Sequence, residues 1–102
     1  MAILVSSKVK GQTTEGYDGV LMMVKDAVKK APGFIMHFAF PVAEEDFWQV
    51  YEVWQSKAEA DIFFAKYIAP NLPKGVYPKR TYHELHSLVD ISSLPEKKSL
   101  NY

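Results

Sequence analysis

The chain of 102 residues contains no cysteine. This absence excludes disulfides, thiolate nucleophiles, iron–sulfur clusters and cysteine-ligated zinc. Neither charge sign is in excess, because twelve basic residues balance twelve acidic ones. A chain with zero net charge has no electrostatic footprint for nucleic acid or for an anionic membrane, so neither is expected as a partner.

Motifs for phosphate binding and for hydrolase chemistry are also missing. The five glycines are scattered, and there is no glycine-rich phosphate loop and no Gly-x-Ser-x-Gly elbow. The apolar N-terminal run is short, lacks a preceding basic region, and gives way at once to Ser6, Ser7 and Lys8. It matches neither a signal peptide nor a membrane span, so a cytoplasmic location is expected.

What is present is typical of one folded domain. Apolar residues make up 48% of the chain and charged residues 24%, enough apolar surface to offset chain entropy. Hydrophobic periodicity, caps and breakers predict strands over residues 2–9, 33–42, 47–55 and 80–89, and helices from Thr13 or Thr14 to Ala31 and from Ser56 to about Ala69. We expect a domain over residues 1–90 and a C-terminal tail over residues 91–102.

The element order predicts the fold class. The order β-α-β-β-α-β with right-handed crossovers is the ferredoxin-like α+β arrangement, with an antiparallel four-stranded sheet in the order 4-1-3-2 and both helices on one face. Ser56 and Glu59 form a capping-box pattern at the start of the second helix, and Pro70 ends that helix.

The two middle strands lack a polar face. Alternation puts these residues on one side of the second strand: Phe34, Met36, Phe38 and Phe40. The other side of that strand carries Ile35, His37 and Ala39. Two helices cover one face only, so something else must cover the second. A second copy of the chain is the simplest cover and predicts a homodimeric barrel; a ligand or the C-terminal tail is the alternative.

The third strand and the helix after it carry a recognisable pattern. Residues 48–60, WQVYEVWQSKAEA, resemble the aromatic-Glu-Val-Trp-x-Ser-x-x-Ala signature of antibiotic biosynthesis monooxygenase domains, and the strand entry at residues 33–37, GFIMH, resembles that family's Pro-Gly-Phe entry. With residues 82–86, YHELH, the chain is similar to a bacterial branch of the superfamily, over about residues 1–90.

This resemblance implies a dimeric α/β barrel. For some members it implies oxidation of polycyclic phenols or quinols by dioxygen without a cofactor, and related members degrade haem. It also implies that Trp54 lines a pocket. Some members carry a histidine nine residues after that tryptophan; Phe63 holds the position here. This departure argues against haem ligation from the second helix and against a histidine base on that helix.

The residues themselves suggest several roles, each with a plainer alternative. Trp54 can stack on a flat aromatic substrate or simply pack in the core. His37 can act as a general base or be a hydrogen-bonded interior histidine. Glu52 can be a base with a raised pKa, or can pair with a cation such as Arg80, the only arginine. Tyr51 can bond a substrate oxygen.

The histidines of the last strand do not predict a metal site. His83 and His86 point to opposite faces of a strand, so they cannot chelate one ion together, whereas Glu84 and His86 share a face. His37 and His86 lie on opposite edges of the sheet, roughly 14 Å apart at about 4.8 Å for each strand spacing. We therefore expect no metal.

Two functional hypotheses follow. In the first, a homodimeric enzyme oxidises a small oxygenated aromatic with dioxygen and needs no metal or flavin. Its base would be His37 or His86, its stacking wall Trp54, and its further substrate contacts Tyr51, Glu52 and Phe63. In the second, the dimer is not catalytic and binds a small apolar ligand or serves a regulatory role.

Overall fold

The order of elements agrees with the sequence prediction. The computed structural model describes residues 2–89, and the predicted tail lies outside them. The elements are β1 (Ile3–Lys10), α1 (Thr14–Lys29), β2 (Phe34–Val42), β3 (Phe47–Trp54), α2 (Lys57–Phe63), a π-helical turn (Phe64–Ile68), a 3-10 turn (Ala69–Asn71) and β4 (Tyr77–Glu84).

The four strands form one antiparallel sheet in the order β2-β3-β1-β4. This is the predicted ferredoxin-like α+β topology, which is confirmed. Both helices pack on the same face: Val24 of α1 and Ala60 and Phe63 of α2 join one core cluster with Ile3 and Val5 of β1. We call this side of the sheet the helix-covered face and the other side the open face.

Side-chain caps begin both helices. The Thr13 hydroxyl accepts the amide of Gly16 at 3.0 Å, and the Ser56 hydroxyl accepts the amide of Glu59 at 3.2 Å. The Ser56 hydroxyl in turn donates to the Glu59 carboxylate at 2.9 Å. The predicted cap at Ser56 is therefore present, with Glu59 reaching the hydroxyl of the cap.

The second helix ends earlier than predicted. Regular α-helix stops at Phe63, and the next residues form a wider π-helical turn in which the amide of Ala69 bonds the carbonyl of Phe64. Pro70 explains the change, because its ring crowds the carbonyl four residues earlier in an α-helix and it has no amide hydrogen to donate. The chain then tightens into the short 3-10 turn.

A bulge at the start of β2 corrects the predicted faces. Phe34 pairs with Trp54 and Met36 pairs with Val53, so Ile35 is an extra residue. Phe34 therefore lies on the helix-covered face, edge-on to Trp54 with ring centroids 5.3 Å apart. The prediction that Phe34 shares a side with Met36, Phe38 and Phe40 is wrong, because the bulge reverses the alternation.

The last strand begins at Tyr77 instead of residue 80 and ends at Glu84 instead of residue 89. Pro78 is tolerated inside it because β4 is an edge strand. The strand ends where its partner begins: Glu84 pairs with Ile3, the first residue of β1. The prediction that His86 shares a strand face with Glu84 is therefore wrong, since His86 lies beyond the sheet.

The core of the domain lies between the helices and the sheet. Trp54 and Val5 are its most deeply buried large side chains, with 0% and 1% exposure. A smaller cluster of Val9, Trp48 and Val76 closes the other end. None of the helices within residues 2–89 is long and apolar enough to cross a membrane.

Candidate functional site

A chain of hydrogen bonds crosses the helix-covered face of the sheet. The register of β2 and β3 puts His37 opposite Glu52, and Nδ1 of His37 lies 2.9 Å from Oε2 of Glu52. The Tyr17 hydroxyl of α1 lies 2.6 Å from Nε2 of the same imidazole. Nε1 of Trp54 donates to Oε1 of Glu52 at 3.1 Å. We call these four residues the polar chain.

The donors in the polar chain can be assigned. The Trp54 indole only donates and an ionised carboxylate only accepts, so Nδ1 of His37 donates to Glu52. In a neutral imidazole the other nitrogen is then an acceptor. The hydroxyl of Tyr17 therefore donates to Nε2 of His37. Each of the three polar groups points its hydrogen toward the carboxylate, either directly or through the imidazole.

The local environment keeps Glu52 charged. Burial alone would raise the pKa of Glu52, but the hydrogen bonds from His37 and Trp54 and the positive charge of Arg80 outweigh it and lower that pKa. The predicted raised pKa of Glu52 is therefore wrong. The alternative, a pairing of Glu52 with a cation such as Arg80, holds only through charge, because the side chain that bonds Glu52 across the strands is His37.

The phenol of Tyr17 stays protonated. Burial raises its pKa, and the negative charges of Glu52 and Asp18 raise it further. The ring is also fixed in place, because it stacks on Trp48 with centroids 4.8 Å apart and planes inclined by 20°. Tyr17 is thus a positioned, neutral hydroxyl at the end of the polar chain.

The polar chain borders a cavity of about 90 Å³ between the sheet and the helices. Most of its wall is aliphatic or aromatic and comes from α1, the sheet and the turns after α2. The lining residues are Ser7, Val9, Gln12, Tyr17, Val20, Leu21, Val24, His37, Val50, Glu52, Phe64, Ile68, Leu72, Pro78 and Arg80. The cavity's mostly apolar wall with a few converging polar groups resembles that of a small-ligand site, while its volume is below the roughly 300–1,000 Å³ of such sites.

Arg80 is the one permanent positive charge in this wall. Its side chain is 13% exposed, and its guanidinium carbon lies 4.1 Å from the centre of the Phe64 ring. Nη2 is buried without a hydrogen-bond acceptor in the described part of the chain, since Oδ1 of Asp61 is 3.6 Å away. A buried donor of this kind favours an anionic oxygen from a ligand.

Two predicted contacts lie in the core instead. Trp54 is fully buried and Phe63 is 5% exposed; their rings pack together with centroids 5.5 Å apart. Neither lines the cavity. Trp54 therefore packs in the core, as its plainer alternative predicted. Its only link to the site is the hydrogen bond from its indole to Glu52. His37 and Glu52, by contrast, both line the cavity.

The remaining predicted residues lie apart from the cavity. Tyr51 is on the open face, where its ring stacks on Phe38 with centroids 5.2 Å apart. His86 is exposed beyond the end of β4 and is not brought to His37. Across residues 2–89 no group of three or more ligating side chains is arranged to hold a metal ion.

Sequence reasoning missed Tyr17 and the cavity role of Arg80. Tyr17 places a hydroxyl on the apolar face of α1. A polar group at such a position could have indicated a hydrogen-bonding role between the helix and the sheet. Arg80, the only arginine, alternates with Pro78 and Tyr82, which fill the same side of an edge strand. A charged residue on the inward side of a strand was the signal for Arg80.

No protein-family model matches the chain, and no curated protein matches it in sequence. Solved structures do match it. SnoaB from Streptomyces nogalater, a cofactor-independent oxygenase, is 12% identical, with a TM-score of 0.67, over 86% of this chain and 96% of its own. A monooxygenase from the gene ActVA-Orf6 of Streptomyces coelicolor, solved with the ligand nanaomycin D, is 14% identical, with a TM-score of 0.61, over 86% and 90%.

A third similar structure is a heme degrader. MhuD from Mycobacterium tuberculosis, solved with two hemes bound in its active site, is 15% identical, with a TM-score of 0.60, over 86% of this chain and 99% of its own. Identities this low show a shared fold and leave activity to be argued from the site. The resemblance to antibiotic biosynthesis monooxygenases is therefore confirmed in the fold.

Proposed function

We propose that this protein is a monooxygenase that needs no cofactor and acts on a small oxygenated aromatic of the quinol or anthrone type. The observation that carries the proposal is the His37–Glu52 pair, 2.9 Å apart, at the wall of an apolar cavity. A carboxylate that orients an imidazole and stabilises its protonated form is the arrangement of a general base. The fold shared with two oxygenases supports the same reading.

The reaction begins with loss of a proton from the substrate. The His37–Glu52 pair takes up that proton, and the lowered pKa of Glu52 keeps its carboxylate charged so that it stabilises the imidazolium. The buried guanidinium of Arg80 lies in the same wall and holds the oxygen anion that forms. The mostly apolar lining reduces the water around both charges.

The anion is electron-rich and reduces dioxygen directly, so the proposed reaction requires no metal and no flavin. One electron passes from the anion to dioxygen, and the resulting radicals combine to a peroxide. In an anthrone, the imidazolium of His37 returns its proton to the peroxide, and loss of water from the resulting hydroperoxide leaves a new carbonyl on the ring. One oxygen atom of dioxygen therefore enters the product and the other leaves as water, together with the two hydrogens of the anthrone methylene.

Oxygen uptake by metal-stripped protein tests this function. We expect uptake above the uncatalysed rate with at least one member of a panel of anthrones, quinols and hydroxylated naphthalenes. His37→Gln should lower that rate by roughly 100-fold, the usual contribution of a general base. Tyr77→Phe is the matched control, because Tyr77 is 72% exposed and lies outside this cavity. Binding of the panel with no uptake by the wild type would instead support the non-catalytic, ligand-binding hypothesis.

We also propose that the protein is a homodimer that closes over the open face. Met36, Phe38 and Phe40 are 37%, 47% and 46% exposed there, and Tyr51 lies against both phenylalanines. Contiguous exposed aromatics of this kind mark an association surface in a small protein. A second copy presents the same patch. Because the net charge is zero, there is no overall charge repulsion between two copies.

A further inference from the structure

Both nitrogens of the His37 imidazole are already occupied. Nδ1 donates to Glu52 and Nε2 accepts from Tyr17. A ligand can therefore reach the imidazole directly only by displacing the Tyr17 hydroxyl from a contact of 2.6 Å. The base suggested by the sequence is thus covered by a residue that the sequence did not suggest.

The Tyr17 oxygen is suited to the contact that His37 lacks. Its single hydrogen is committed to His37, so its remaining acceptor capacity is available to a donor in the cavity that it lines. Stacking on Trp48 fixes the ring, and the capped first turn of α1 fixes the backbone. The hydroxyl therefore needs no rearrangement to receive a hydrogen bond from a ligand.

We propose that Tyr17 is the catalytic residue that touches the substrate, accepting a proton from a phenolic hydroxyl while passing its own proton to Nε2 of His37. The proposal deepens the proposed function and rests on it. The ligand O–H bond breaks and an O–H bond forms on Tyr17. At the same time the original Tyr17 O–H bond breaks and an N–H bond forms on His37.

The two proton transfers leave a balanced pair of charges. The ligand becomes an oxygen anion and His37 becomes an imidazolium, with no oxidant or reductant involved. Glu52 is a positioning residue, because it acts through the imidazole and stabilises its positive charge at 2.9 Å. Trp54 supports it from the core by bonding the other carboxylate oxygen at 3.1 Å.

A coloured phenol that dioxygen does not oxidise separates this relay from the oxidation step. Para-nitrophenol is titrated with wild-type protein, Tyr17→Phe and His37→Gln, at a pH below the pKa of the free probe. The yellow colour of the bound anion reports proton transfer, and quenching of tryptophan fluorescence reports binding. Tyr77→Phe is the control for loss of a tyrosine hydroxyl elsewhere, and circular dichroism verifies the fold of each variant.

We expect wild-type protein and Tyr77→Phe to bind the probe as its anion. Tyr17→Phe and His37→Gln should bind it as the neutral phenol, with the ionised fraction reduced at least roughly tenfold. Full ionisation by Tyr17→Phe with none by His37→Gln would overturn the proposal, because the imidazole would then contact the ligand directly. Absence of ionisation by the wild type would also overturn it.

Failure of the proposed oxidation gives a different result. In that case no substrate in the panel drives oxygen uptake, whatever the colour of bound para-nitrophenol. If Tyr17→Phe ionises the probe as well as the wild type but oxygen uptake is normal, only the Tyr17 relay is wrong. The two readouts therefore distinguish the relay from the reaction.

Discussion

The two faces of the sheet depart from the ordinary distribution of residues in opposite ways. The helix-covered face takes polar groups partly out of water, since Tyr17, His37 and Glu52 line a mostly apolar cavity and bond one another. The open face exposes apolar groups, since Phe38 and Phe40 are nearly half exposed. Buried polar groups and exposed apolar patches are the two informative exceptions in a folded protein.

The difference indicates a division of labour. A polar group removed from water costs free energy unless it has a partner. The polar chain offsets this cost with its own hydrogen bonds, and it does so beside a cavity, where a ligand can meet it. An exposed aromatic patch favours association. We infer that the helix-covered face performs the reaction and that the open face joins two copies.

The largest expected effect is on the helix-covered face. Trp54→Ala should lower the free energy of unfolding by about 3–5 kcal/mol, because it removes a fully buried ring and leaves a cavity. Urea unfolding measures the change. An exposed control, Tyr77→Ala, should change it by less than about 0.5 kcal/mol. A Trp54→Ala loss as small as that of the control would contradict the core position of Trp54.

Phe38→Glu tests the open face. A charge in the middle of the exposed aromatic patch should weaken the dimer by about 2 kcal/mol or more, which is roughly 30-fold in dissociation constant. Analytical ultracentrifugation measures the association. Met22→Glu, at an exposed apolar position of α1, is the matched control because it adds the same single negative charge away from the open face. A wild-type protein that sediments as a monomer would end the dimer proposal.

The pH dependence of stability tests whether Glu52, beside the cavity, is held as a charged carboxylate. The pKa of Glu52 is lower in the folded protein than in the unfolded chain, so its contribution to stability is present above the ordinary glutamate pKa of about 4.3 and is lost as pH falls through the lowered value. Glu52→Gln should flatten this acid-side loss in thermal melts.

Asp61 provides the baseline for that experiment. Desolvation would raise the pKa of Asp61, but the bonds from Lys57 and Tyr82 outweigh it and lower that pKa. Asp61→Asn should therefore remove a separate part of the acid-side loss and leave the part due to Glu52. If Glu52→Gln melts with the same pH dependence as the wild type, Glu52 is not held as a stabilised carboxylate.

The smallest expected effect is the loss of unfolding free energy when the cap of α2 is removed. Ser56→Ala removes the hydroxyl that caps α2 and should cost about 1 kcal/mol of unfolding free energy. Ser87→Ala, at an exposed position beyond the sheet, is the matched control. Equal stabilities of the two variants in chemical denaturation would mean that the Ser56 cap does not stabilise α2.

Most of the fold was predictable because its signals are local. Caps at Thr13 and Ser56, the helical stripe of α1 and the proline after α2 mark the elements, and the order of elements restricts the topology. The bulge at Ile35 was not predictable, because it depends on the pairing of Phe34 with Trp54 across two strands. Gly33, just before the bulge, has a φ of +84°, which glycine adopts readily. A Cβ at this position would collide with the Glu59 carboxylate.

The site was predictable only in part, because its contacts are not local. His37 and Glu52 were identified as polar residues on apolar strands, and they meet through the register of β2 and β3. Tyr17 meets His37 only after α1 has packed on the sheet. Trp54 looked like a pocket wall from the sequence, yet the bulge brings Phe34 against it and completes its burial.

The most direct test of the division between the faces is oxygen uptake by metal-stripped wild-type protein and Glu52→Gln, measured side by side with an anthrone. Glu52→Gln keeps the shape of the side chain but removes the charge that stabilises a protonated His37. We predict uptake by the wild type and a rate roughly 100-fold lower in a folded Glu52→Gln protein. Equal uptake by the two proteins would contradict the assignment of the chemistry to the helix-covered face.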